Sequence, residues 1–145
     1  MDNEDMIYNL LKAYIAQMDS AVKISNIICE HSGRNELTGD DIICGLIYRL
    51  MKPMSQEEIH DSLEKAGDIL EDSISDEDED YDKIEESYEI PQISRKIKSN
   101  DCNCDICSEM RVCLINYKDY EVSDDLSQRF KNSIDETCKK YKIYT

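Results

Sequence analysis

Apolar or small residues recur at three- and four-residue spacing near the start of the chain: Ile7, Leu11, Tyr14, Met18, Ala21, Ser25 and Ile28. With no Gly or Pro between residues 5 and 30, that period predicts one long helix. From Val22 to Cys29 apolar residues fall on several sides, so this half is expected to be deeply buried. Gly33 is the expected stop.

The pattern restarts at Thr38. Thr38 as N-cap and Asp41 three residues later can cap each other's backbone N–H groups, with Leu37 and Ile42 placed as a hydrophobic staple. Ile42, Ile43, Leu46, Ile47 and Leu50 form the stripe of this second helix, and Pro53 ends it. Ser55 with Glu58, and Met54 with Ile59, repeat the same grammar for a third helix carrying Ile59, Leu63, Ala66 and Leu70. Residues 71–89 are poor in apolar positions and predict an extended or disordered linker. Beyond it, "YEIPQISRKIKSN" predicts a short strand or extended arm, and "VCLINYKDYEV" a strand. A last helix is expected from about Asp124 to Tyr141, with Leu126, Phe130, Ile134, Cys138 and Tyr141 on one face.

Charge changes this picture in the middle. The net charge is −16 over 145 residues, and residues 54–90 carry 16 acids against only 2 bases. Like charge keeps such a segment stretched and soluble, or offers it to a basic partner; both readings stay open. Direct DNA binding is not expected, because each negative charge adds repulsion from the phosphate backbone. No apolar stretch approaches the roughly 20 residues a membrane-spanning helix needs, and the acidic "MDNEDMIYNL" contradicts a secretory signal. The expected setting is intracellular. The many Ile, Lys, Asp and Tyr residues point to an AT-rich genome such as that of a large DNA virus, which would place the chain in a nucleus, a viral factory or a virion.

The turn between the first two helices carries a family pattern: Glu30-His31, Arg34, Leu37-Thr38, Asp41, Ile42-Ile43 and Leu46. It resembles, without a gap, the end of the long helix and the start of the last helix in the core histones, over about residues 5–52. The resemblance implies a salt bridge from Arg34 to Asp41 that clamps the loop onto the helix capped by Thr38. A planar guanidinium suits that role, because it can bond a carboxylate through two N–H groups at once. The family's short first helix has no counterpart in residues 1–4; the expectation is either that it is lacking or that a later segment such as residues 55–72 replaces it. Pairing is implied too, with self or with another protein, through a surface containing Ile27, Ile28, Ile43 and Ile47. One long and one short helix cannot enclose their own apolar faces, so a partner or the third helix must cover these residues.

Four of the seven cysteines, Cys102, Cys104, Cys107 and Cys113, fall within twelve residues as C-x-C-x2-C-x5-C. Four thiolates can surround a zinc ion tetrahedrally, and a metal would substitute for the core that residues 91–145 can scarcely build unaided. The C-x-C half is awkward for one ion, so Cys138 is a substitute ligand. Free thiols, disulfides and iron–sulfur ligation remain open. Cys29 and Cys44 lie in apolar helices and are expected in the core. Among the catalytic motifs, no P-loop, dinucleotide fingerprint, H-E-x-x-H or G-x-S-x-G occurs.

The expectation is a mainly α protein in three parts. Residues 1–72 are a histone-like helical module, 73–90 an acidic linker, and 91–145 a small Cys-rich α(+β) module stabilised by structural zinc. Its expected role is non-enzymatic: a dimerising, chromatin- or transcription-associated interaction protein. A structural or virion-assembly protein built on a generic helical bundle is the alternative.

Overall fold

The computed structural model describes residues 3–75 and 92–145. Among them are five α-helices: α1 (Asn3–His31), α2 (Gly39–Met51), α3 (Gln56–Ser75), α4 (Asp105–Asn116) and α5 (Asp125–Lys140). Two two-residue strands, β1 (Arg95–Lys96) and β2 (Ile143–Tyr144), pair in parallel with Arg95 opposite Ile143. The protein is mainly helical. No described helix is long and apolar enough to cross a membrane.

The first three helices match their sequence signals closely. α1 runs 29 residues and closes on Gly33, whose φ of 75° is open to glycine at little cost. The reciprocal capping box at α2 is formed by Thr38 and Asp41, and that at α3 by Ser55 and Glu58, each at 3.2 Å. α3 continues to Ser75, past the expected boundary at residue 72. The rest of the expected linker, residues 76–90, lies outside the described residues, as does residue 91.

α2 lies against α1 on one side and against α4 and α5 on the other. The approach to α1 is close because Gly45 has no side chain. A Cβ there would run into Ser25 Oγ and lie 2.5 Å from the Ala21 carbonyl oxygen. Ser25 resolves its own buried hydroxyl by donating to Ala21 O at 3.0 Å.

Two expectations change here. "VCLINYKDYEV" does not form a strand: α4 continues to Asn116 and a 3-10 turn spans Tyr117–Asp119. Met110, Cys113, Leu114 and Tyr117 are the buried positions, a helical spacing that the β-branched composition of the run conceals. The expected partner surface is also largely internal. Ile28, Ile43 and Ile47 are 1%, 5% and 0% exposed, and Ile27 is half-buried. Ile28, Ile43 and Ile47 sit in one hydrophobic cluster with Met110, Leu114, Phe130 and Ile134. The C-terminal segment therefore covers, within the same chain, the face that two helices alone leave bare. One core cluster thus draws its buried members from Ala21 to Leu50 and from Ile97 to Ile134.

Candidate metal centre

Two clusters of polar side chains meet at the C-terminal end of α1. The first is local. Arg34 reaches both oxygens of Asp41, each at 2.7 Å, while Asp41 accepts from Thr38 N at 2.9 Å and its own N–H donates to Thr38 Oγ1 at 3.2 Å. Burial alone would raise the Asp41 pKa, but the bonds from Arg34 and Thr38 outweigh it and hold the carboxyl below its ordinary value. Arg34, Thr38 and Asp41 thus form one unit that fixes the turn.

Beside them lies a second ion pair without a local signature. Arg95 binds both oxygens of Asp40 at 2.8 Å, and Lys98 N donates to the same carboxylate at 2.8 Å. Arg95 is the leading cause that lowers the Asp40 pKa. The chain returning from residue 92 is thereby fastened to the first turn of α2. β1 continues that fastening, because its backbone pairs with β2 at the chain's other end.

The second cluster is the candidate centre. His31, the last residue of α1, meets Cys102, Cys104 and Cys107, with all four donor atoms within 4.8 Å of one another. His31 Nδ1 lies 3.1 Å from Cys104 Sγ, 3.3 Å from Cys102 Sγ and 3.6 Å from Cys107 Sγ. Zinc bonds of about 2.0–2.3 Å put neighbouring tetrahedral ligands roughly 3.3–3.8 Å apart, so the donor set fits such an ion.

Local chemistry prepares the thiols. Cys104 is the N-cap of α4 and accepts from Cys107 N at 3.4 Å. That bond is the main reason its pKa falls to about 7, as expected of a thiolate at a helix N-terminus. Cys107 is fully buried, and desolvation pushes its thiol up to about 11.

Asn100 holds the parts in register. Its amide nitrogen lies 3.1 Å from Ile28 O, 3.3 Å from Ser32 Oγ and 3.3 Å from Cys107 Sγ. Its oxygen accepts from Cys102 N at 3.2 Å and from Arg111 at 3.2 Å. One buried amide thus joins the end of α1, the cysteine loop and α4.

No family model, no curated protein and no solved structure matches the chain.

The ligand set differs from the expected one in a single member. Cys102, Cys104 and Cys107 come together, but Cys113 lies in the hydrophobic core. Six helical residues carry it about 9 Å along α4 from Cys107 and roughly 120° round the axis, out of reach of the same ion. Cys138, on α5, packs half-buried against that core. Burial is the main cause that raises the thiol pKa of both. His31 had no sequence signal beyond its place at the end of a long helix. The only hint was chemical: three thiols need a fourth ligand, and three cysteines with one histidine are a common zinc set. All seven cysteines are free, and Cys29 and Cys44 are buried in the helical core.

Proposed function

We propose that this chain is a non-enzymatic protein-interaction module whose two halves are stapled by a structural zinc ion. The observation that carries the reading is the meeting of His31 with Cys102, Cys104 and Cys107 across more than seventy residues. Four protein ligands complete a tetrahedral shell, whereas a catalytic zinc keeps a position open for water or substrate. Deprotonated thiolates and the imidazole would hold the ion, which would fix the loop before α4 to the end of α1.

The N-terminal half is proposed to be histone-like, and its setting chromatin or transcription. What supports this is the order of a long helix, a short turn and a short helix, with Arg34 and Asp41 in the register that resembles the core histones. The acidic character of residues 54–90 suits a basic protein partner better than nucleic acid.

Metal analysis of protein purified without added chelator tests the staple: one zinc per chain is expected, falling to well under half in His31→Ala. Titration of purified core histones and of duplex DNA into the labelled chain tests the partner class. Saturable binding to histones, and none to DNA at physiological salt, is the expected result. DNA binding without histone binding would overturn it.

A further inference from the structure

The three cysteines of the candidate centre are not alike. Cys104 is the N-cap of α4, and its sulfur accepts from Cys107 N at 3.4 Å. Cys104 is partly exposed, whereas Cys107 is 0% exposed. Cys102 lies in the loop ahead of the helix. Of the sulfur pairs, only Cys104 with Cys107 is therefore set by a regular element, the first turn of α4. Positions three apart on a helix have Cα atoms about 5 Å apart, inside the range that a disulfide spans. The two sulfurs already lie within 4.8 Å of each other, so side-chain rotation can close the bond while the backbone stays in place. Asn100, 3.3 Å from Cys107 Sγ, holds that sulfur at the cluster.

The other thiols are withdrawn from solvent. Cys29, Cys44 and Cys113 are buried, and Cys138 is half-buried against the core. An oxidant arriving from solvent meets Cys102 and Cys104 first, and only Cys104 has a second thiol placed by its own helix.

We propose that Cys104 is a site of reversible oxidation by a peroxide, with Cys107 as the resolving thiol and a Cys104–Cys107 disulfide as the product. In the first step the Cys104 sulfur attacks one peroxide oxygen. An S–O bond forms, the O–O bond breaks, and hydroxide leaves. In the second step the Cys107 sulfur attacks the Cys104 sulfur. The S–S bond forms, the S–O bond breaks, and a second hydroxide leaves. Two electrons pass from the sulfurs to the peroxide. Protons from the two thiols, or from solvent where the thiols were metal-bound, turn both hydroxides into water. A reducing dithiol reverses the change by exchange through a mixed disulfide.

A consequence for the metal rests on the zinc staple proposed above; the disulfide itself does not. Oxidation leaves only His31 and Cys102 of the four ligands, too few to close a tetrahedral shell. It would thus release the ion and undo the join between the loop before α4 and the end of α1.

Stepwise addition of hydrogen peroxide to the zinc-loaded full chain is the test. A chromophoric chelator reads the released zinc, and mass spectrometry after acid quenching and thiol blocking maps the disulfides. One Cys104–Cys107 disulfide per zinc released is expected, and dithiothreitol followed by fresh zinc should restore the starting state. In the metal-free chain, Cys107→Ser should let a sulfenic acid persist at Cys104, raising its labelling by dimedone severalfold over the wild type. The mapping uses the unsubstituted chain, so it decides the matter even where that variant fails to fold. A disulfide that uses Cys102, thiols oxidised beyond the sulfenic level without any disulfide, or a change that dithiothreitol does not reverse would each overturn the proposal. A chain that purifies without zinc yet forms the Cys104–Cys107 disulfide would sink the staple and keep the modification site. A chain that holds its zinc while other thiols oxidise would do the reverse.

Discussion

The two polar clusters at the end of α1 face the same task, fixing the chain beyond the helix, and they meet it by opposite means. The Arg34–Thr38–Asp41 clamp closes a turn of eight residues. Its parts are adjacent in sequence and need little chain entropy to assemble. The His31–Cys102–Cys104–Cys107 cluster closes a loop of more than seventy residues and has three thiols to deprotonate. The first can hold itself together with hydrogen bonds. The second brings polar groups together at a cost in loop closure and desolvation that a metal ion would offset.

Removing a ligand from the second cluster should have the largest effect. Cys107→Ser is expected to lower zinc affinity by more than about 100-fold, since loss of mere outer-sphere partners already costs up to that much. Competition with a chromophoric chelator measures it, and retention of wild-type affinity would show that Cys107 is not a ligand. Next comes Asn100→Leu, which keeps all four ligands but removes the amide that spans Ile28, Cys102 and Cys107. A loss of about 10- to 100-fold is expected in the same assay.

The clamp should respond in stability and leave metal affinity nearly unchanged. Asp41→Ala removes both the acceptor of Thr38 N in the capping box and the acceptor of Arg34, and should cost about 1–3 kcal/mol in urea unfolding. Arg34→Ala should lower the midpoint too, and the double substitution should be little worse than Asp41→Ala alone. Additive losses would mean that the two side chains act separately.

Acid gives the mildest discrimination. The buried Cys107 thiol, pushed up to about 11, must lose a proton to bind zinc near neutral pH. Cys104, at about 7, is increasingly protonated below that value. Zinc affinity should therefore fall as pH drops from 7, by about tenfold per unit for each proton displaced. Asp40 and Asp41 have lowered pKa values, so their contribution is full above the ordinary value of 3.8 and fades only as pH falls below it. Between pH 7 and 4 the metal should leave while far-ultraviolet circular dichroism stays constant.

The same contrast between local and distant partners separates the legible features from the hidden ones. The capping boxes of α2 and α3, the stop at Gly33 and the α5 stripe ending near Tyr141 depend on residues within one or two helical turns. Short-range chemistry is written in short stretches of sequence. The helix through "VCLIN" was concealed because Val112 and Ile115, the β-branched members of that run, are the exposed ones, while the buried set begins upstream at Cys107. The Asp40–Arg95 pair and the hub at Asn100 had no signal, since each residue is ordinary in its own neighbourhood.

By itself, the sequence determined that the chain is mainly helical, where four of its helices begin or end, and that Cys102, Cys104, Cys107 and Cys113 are a candidate metal-ligand set. Only the tertiary structure decided that the side chain beside Cys102, Cys104 and Cys107 is His31 rather than Cys113. It also decided that α4 and α5 cover Ile28, Ile43 and Ile47 from within the chain. The physical reason is that helix caps are satisfied over a few residues, whereas an apolar face or a coordination shell is satisfied by whatever the packing brings near. Packing is a property of the whole chain, and no local pattern records it.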